Sequence, residues 1–280
     1  MRIMITADST CDLSPELQQQ YGVELIPLLI VKGDQVFKDG VEIHPRDVFD
    51  YVESGQGVCG TSALNAADYH QVFARYAGDC EALIHFSISS GFSSTCQNAA
   101  LAAADFDNVY VVDTRNLSTG SGLLVLAGRE LADQGVAAAD IVRRLEILRD
   151  RVEASFVIDT LEYLRRGGRC SSVAALATGI LKIKPCIEVV DGGMKVGKKY
   201  RGGFENCVRQ YVRNRLEGRR DLDCRRIFVT HTGCDPKLVT AVKEEIARYQ
   251  AFDEVLETVA GCTVSSHCGP NTLGILFLRK

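Results

Sequence analysis

Ala82-Leu83-Ile84-His85-Phe86, then Ser87-Ile88-Ser89-Ser90-Gly91-Phe92-Ser93-Ser94-Thr95, then Cys96-Gln97-Asn98-Ala99-Ala100-Leu101, reads as a buried strand, a hydroxyl-rich turn and a helix. Six of the nine residues from Ser87 to Thr95 carry a hydroxyl. A cluster of neutral donors at a helix N-terminus suits an anion, because unpaired backbone N–H groups and the helix dipole both favour negative charge there. The alternative is that the hydroxyls only cap the helix, and this stretch alone does not separate the two.

Working outward, strand and helix alternate through the first half. Arg2–Ala7 reads as a strand, and Ser14-Pro15-Glu16 opens a helix with an N-cap and a proline at its first position. A strand at Glu24–Val31, turns at Lys32-Gly33-Asp34 and Asp39-Gly40, and a short strand near Val36-Phe37 form a small β-excursion. Further helices start at Pro45 and run over Asn65–Ala77, 119–134 and 139–152, with a strand at 109–112. Strands separated by helices predict a doubly wound, mainly parallel sheet with ligands beyond its carboxyl edge. The second half reads differently. It has a strand at 156–158, a short helix at 160–166, a helix near 172–181, and a hairpin of Lys182–Val190 with Met194–Tyr200. A helix from Phe204, strands at 227–231, 254–258 and 273–278, and a helix capped by Asp235-Pro236 complete it. The expected architecture is α/β with two domains: residues 1–155 doubly wound, and residues 156–280 a two-layer α+β unit.

The chain has 280 residues, 46% hydrophobic and 24% charged, as in an ordinary soluble globular protein. No apolar run approaches the roughly 20 residues of a membrane span, and the N-terminus runs straight into a strand pattern without a signal-peptide core, so a cytoplasmic protein is expected. Eleven cysteines are scattered singly, with no C-x-x-C pair. His231-x-x-Cys234 with Cys262, His267 and Cys268 is the nearest approach to a metal pattern, and its spacing is poor. Net charge is −4, yet residues 161–230 hold 16 Lys and Arg against 7 Asp and Glu, a local +9 that leaves −13 elsewhere. That asymmetry suggests an anionic partner. Nucleic acid is disfavoured, since no recognised motif or stacking aromatics accompany the charge and Trp is absent.

Polar groups gather where apolar runs end: Asp8-Ser9-Thr10, Gly60-Thr61-Ser62, Asp113-Thr114, Gly167-Gly168-Arg169, Lys198-Lys199-x-Arg201 and Ser266-His267-Cys268-Gly269-Pro270. Walker A, G-x-G-x-x-G and G-x-S-x-G sequences are all missing, which weighs against nucleotide binding and the common hydrolase architecture. A serine esterase or thioesterase using Ser93 and His267 stays open, because the members of a triad meet in any chain order.

Taken together, Ala7-Asp8-Ser9-Thr10-Cys11-Asp12-Leu13, Ile88 to Thr95, Phe156-x-x-x-Thr160-Leu161-x-Tyr163-Leu164-x-x-Gly167-Gly168-Arg169, Leu181-x-Ile183-Lys184-Pro185, Lys199-x-Arg201 and His267-x-Gly269-Pro270 resemble the DegV family. The matches run in order from residue 7 to residue 270. The resemblance implies two α/β domains and a long-chain fatty acid in a tunnel between them. It also implies that the protein serves as the lipid-carrying subunit of a bacterial fatty acid kinase. Such a subunit has no catalysis of its own and no cofactor beyond the bound fatty acid. It presents the carboxylate to a separate ATP-using subunit, which forms acyl phosphate for phospholipid synthesis. By motif position the carboxylate ligands would be Thr61, Ser93 and His267 with neighbours Ser62 and Ser94, while Arg169 and Arg201 would lie at the mouth, toward the kinase subunit. Partners would then be the fatty acid and the kinase, with no nucleic acid, no membrane span, and at most transient membrane contact. Three positions depart from the family pattern: Ala63-Leu64 stands for Gln-Pro, Ser94 for Gly, and Asn271 for Gly. The chemistry agrees with the resemblance. Hydroxyls and an imidazole can fix a carboxylate without a metal, a protonated imidazole most strongly, while an acyl chain needs only apolar walls.

Overall fold

The computed structural model describes residues 3–171 and 183–280. Strand β1 (Ile3–Asp8), helix α1 (Pro15–Tyr21) and strand β2 (Val23–Ile26) form the first parallel unit. Ser14 Oγ accepts from Leu17 N, and Gly22 ends the helix at φ +58°. The single strand expected over Glu24–Val31 is two strands. Pro27 has no N–H to give a ladder, and beyond it β3 (Leu29–Lys32) joins β4 (Gln35–Lys38) and β5 (Cys59–Ser62) in a separate antiparallel sheet of order β4-β3-β5. Helix α2 (Pro45–Glu53) bridges the excursion, α3 (Ala66–Ala77) leads to β6 (Ala82–Ser87), and α4 (Thr95–Ala103) leads to β7 (Val109–Asp113). The parallel sheet runs β2-β1-β6-β7. Its faces follow the period of two. Ile5, Ile84 and Phe86 pack on α5 (Ser118–Asp133) and α6 (Ala138–Leu148), while Leu83 packs on Tyr69 and Phe73 of α3. Because the chain passes from β1 to β2 on one side and returns to β6 on the other, the carboxyl ends of β1 and β6 flank the topological switch point.

The second sheet runs β10-β9-β8-β13-β11-β12, built from β8 (Val152–Val157), β9 (Ile183–Val190), β10 (Gly193–Arg201), β11 (Leu222–His231), β12 (Glu254–Val259) and β13 (Leu273–Arg279). Only β11 and β12 pair in parallel, through α9 (Pro236–Tyr249). On β13, Leu273, Ile275 and Phe277 pack against α8 (Phe204–Leu216) and α9, whereas Leu276 and Leu278 face the other way, into the core that holds Leu123 to Leu126 of α5. The two-layer unit expected for the second half therefore has its other face covered by the first domain. That explains why Ser118 to Leu126 of α5 are buried on every side. The helix expected to run to residue 152 ends at Leu148, and Val152 to Ser155 enter the second sheet as part of β8. The helix read near 172–181 lies outside the described residues. Helix α7 (Glu162–Gly167) matches the expected short helix, while α10 (Cys262–Cys268) was not anticipated.

Two buried carboxylates of the first domain hold the N-terminus of α10. Asp12 Oδ1 accepts from Gly261 N (2.8 Å), and its Oδ2 accepts from Ser118 Oγ (2.5 Å). Asp39 accepts from Cys262 N (2.7 Å), Thr263 N (3.0 Å) and Thr263 Oγ (2.7 Å). Burial pushes the Asp12 carboxyl up from 3.8 to about 7, against the opposing pull of its Ser118 and Gly261 hydrogen bonds. The unfolded chain thus releases this proton first as pH rises, so the Asp12 contribution to stability falls between about pH 4 and about pH 7. Asp12→Asn should lack that loss. In urea unfolding, the stability of the variant relative to wild type is expected to rise from pH 5 to pH 8. Parallel pH curves would place the loss in another group.

Candidate functional site

The hydroxyl-rich turn is shaped from both sides by carboxylates at strand ends. Asp8, at the end of β1, accepts from Tyr69 Oη (2.5 Å), Ser87 Oγ (2.8 Å) and Ile88 N (2.9 Å). His85 Nε2 lies 3.2 Å from the same carboxylate but outside hydrogen-bonding alignment, while His85 Nδ1 and Thr6 Oγ are bonded at 3.0 Å. Asp113, at the end of β7, accepts from Ser90 N and Ser90 Oγ, and Ser89 Oγ donates to Gly192 O (2.7 Å) across to the second domain. Gly91 is obligatory at this crossing, because a Cβ would meet Gly192 O at 2.5 Å. Ser87, Ser89 and Ser90 are thus committed to building the loop. Ser93 Oγ accepts from Thr95 N (3.2 Å) and contacts Thr95 Oγ at 2.6 Å, and with Ser94 it stands at the start of α4, facing a cavity.

That cavity, of about 350 Å³, lies between the domains and is within the usual size range of small-molecule pockets. Its polar lining comprises Thr61 and Ser62 from β5, Ser93 and Ser94 from the turn, Asn98 from α4, Thr263 and His267 from α10, and Arg169, of which Thr61 and Arg169 adjoin His267. Its apolar lining includes Leu28, Ile88, Phe92, Leu117, Met194 and Val264. Leu117, Val264 and Cys268 also border a smaller apolar space of about 20 Å³ that leads inward beside Phe156, Val189 and Leu276. The structure thus brings Thr61, Ser62, Ser93, Ser94, Arg169 and His267 to one place. Arg201 is exposed at the end of β10, seven residues along the strand from Met194, and is not on this wall.

His267 Nε2 and Thr61 Oγ are 3.0 Å apart, joining the two domains at the cavity. Burial, and secondarily the charge of Arg169, push the imidazole down from 6.5 to about 4. The protonated imidazole expected from the sequence is therefore corrected: in this structure the ring is neutral at pH 7 and binds as a hydrogen-bonding group. The basic stretch also changes meaning. Arg209, Arg215, Arg219, Arg225 and Arg226 pair with carboxylates outside that stretch, Glu245, Glu153, Glu130 and Glu254, so part of the local +9 is offset in place. Burial pushes the thiols of Cys96, Cys186, Cys234 and Cys268 up to about 12, which keeps them protonated. Among the described residues no three His, Cys, Asp or Glu side chains converge as a metal site requires, and His231 Nδ1 instead accepts from Cys234 N (3.2 Å). No helix among the described residues is long and apolar enough to cross a membrane.

Leu28, Asn98, Met194 and Val264 are site residues that the sequence did not single out. The two-residue break at Pro27-Leu28 is the one signal that could have flagged Leu28. Asn271 has φ +53°, the left-handed region that asparagine tolerates better than most residues, so its replacement of a glycine leaves the turn before β13 intact.

The DegV family model matches residues 2–280. A DegV domain-containing protein of Deinococcus radiodurans is 31% identical over 282 residues, covering 98% of each chain. Among solved structures, the fatty-acid-binding DegV family protein from Thermus thermophilus superposes with a TM-score of 0.90 at 30% identity, over all of both chains. The stearic-acid-binding protein from Eubacterium ventriosum gives 0.86 at 26% identity, over 100% of this chain and 99% of that one.

Proposed function

The chain belongs to the DegV family, and we propose that it binds one long-chain fatty acid in the cavity between its domains, with the carboxylate at Thr61, Ser93 and His267 and with Ser62 and Ser94 at the rim. One observation carries this reading: one cavity is lined both by hydroxyls and an imidazole, which suit a carboxylate, and by apolar side chains, which suit an acyl chain. Each buried methylene contributes roughly 0.8 kcal/mol, so a long chain is held mainly by its tail, and the polar groups fix its carboxylate. The protein then acts as a carrier, presenting the carboxylate to an ATP-using kinase subunit that forms acyl phosphate. Arg169, beside His267, and Arg201, exposed on β10, are the cations assigned to that encounter.

An esterase would need Ser93 bonded to His267, and the histidine oriented by a third group. Here Ser93 Oγ pairs with Thr95, His267 Nε2 pairs with Thr61, and His267 Nδ1 has no hydrogen-bond partner among the described residues. Organic extraction of the purified protein followed by mass spectrometry tests the reading. About one free fatty acid per chain is expected. A protein that carries none, takes up none and hydrolyses an acyl ester would overturn the carrier reading. A second expectation concerns presentation: Arg169→Ala and Arg201→Ala should keep the fatty acid bound while slowing its ATP-dependent phosphorylation by the kinase subunit. An unchanged rate with both arginines removed would return them to an ordinary solvated surface.

A further inference from the structure

The apolar lining of the fatty-acid cavity continues into a charged one. Val189 packs in one cluster with Ile88, Phe92, Leu117 and Met194, which line the fatty-acid cavity. Val189 and Ala154 also border the small inner space and, beyond it, a third cavity of about 380 Å³ between the domains. Met194 and Val189 are cross-strand partners on β10 and β9, so Cβ atoms on the walls of the two large cavities stand about 5 Å apart there. Four arginines and four carboxylates line the third cavity. On its second-domain wall Glu153 and Glu188 both pair with Arg215. On the first-domain wall Arg115 pairs with Asp150 and Asp191, whose side chains are 66% and 87% exposed, so those pairs are weak. Arg149 meets no carboxylate among the described residues, and its Nη1 donates to Asp113 O (3.0 Å). An acyl chain that extends past Leu117 and Val189 therefore leaves apolar walls for a chamber of charged groups, one guanidinium of which lacks a carboxylate partner.

We propose that this chamber receives a hydroxyl group at the far end of the acyl chain, so that ω-hydroxy fatty acids are a ligand class of this protein. The proposal rests on the fatty-acid reading above and adds a second point of recognition, remote from the carboxylate. A hydroxyl both donates and accepts, so it can accept from Arg149 and donate to a carboxylate oxygen of the same lining. A second carboxylate on the ligand would add charge to a lining whose charges already balance. A methyl end would displace water from charged groups and replace none of its hydrogen bonds. Of the two residues common to the inner space and the chamber, Ala154 presents only a methyl group, which leaves the passage its width.

The test titrates delipidated protein with saturated fatty acids of increasing length, each beside its ω-hydroxy counterpart. At the length whose end reaches the chamber, the hydroxy acid is expected to bind about threefold or more tightly than its parent. In shorter chains the hydroxyl falls on apolar walls without a partner, and the hydroxy acid should bind about tenfold or more weakly. Arg149→Met should abolish the preference while leaving the parent acids within about twofold of wild type. Equal or weaker binding of the hydroxy acid at every length, as a closed apolar end would give, overturns the proposal. A preference that survives in Arg149→Met also overturns it. So does an α,ω-dicarboxylic acid that binds more tightly than the hydroxy acid, since the chamber would then be an anion site. Should Arg149→Met not fold, Arg149→Gln takes its place, and the wild-type length series decides by itself. Failure of every parent acid to bind would instead sink the carrier reading, so the two failures are separable.

Discussion

Thr61→Ala combined with Ser93→Ala is expected to weaken fatty-acid binding by about 2–5 kcal/mol, a factor of roughly 30 to several thousand, with the fold retained. Both residues line the cavity, where a bound acyl carboxylate would lose its water, and a hydrogen bond to a charged group is worth more than one between neutral groups. The effects should exceed those of two independent contacts. Thr61 also holds His267 at 3.0 Å, so its loss frees the ring that supplies the third ligand. Ser93 has a structural duty as well, since its Oγ accepts from Thr95 N just ahead of α4, and leaving that amide without its partner costs about 1–3 kcal/mol of stability. Thermal unfolding of the ligand-free variant therefore belongs beside the binding isotherm. Thr61→Val, which keeps the shape and removes the hydroxyl, separates hydrogen bonding from packing. Full lipid occupancy in the double variant would remove both residues from the site.

Asp39→Ala is expected to cost about 3–5 kcal/mol of stability, because it leaves the Cys262 and Thr263 amides and the Thr263 hydroxyl without their acceptor in a buried place. The loss should reach the binding site. Asp39 sits in the β-excursion of the first domain, and α10, whose first turn it holds, carries Thr263, Val264 and His267 to the cavity. Chemical denaturation should therefore show a lower midpoint, and the fatty-acid affinity of the still-folded fraction should fall too. A stability loss with unchanged affinity would show that α10 keeps its place without this clamp. Asp39→Asn, which retains acceptor oxygen but no charge, should fall between the two.

The alternation of strand and helix, the apolar run of β6, the proline N-termini of α1, α2 and α9, and the hairpin of β9 and β10 were all legible in the chain. They follow from local rules: side-chain period, capping chemistry and turn residues. The polar residues eventually gathered at the cavity were also visible as motifs at strand ends. What escaped were features whose reason is not local. Helix α10 is seven residues long and has no capping side chain of its own, since its N–H groups are satisfied by Asp12 and Asp39 from more than 200 positions away. Strand β5 alternates weakly and is a strand because β3 pairs with it. The roles of the hydroxyls in Ser87 to Thr95 divide according to which carboxylate each meets, and the charge state of His267 follows from burial beside Arg169. Sequence alone determined the kinds of element and the residue types at their ends. Tertiary structure decided which of those residues share a cavity and which are neutral there, because burial and hydrogen-bond partners arise only when distant segments meet.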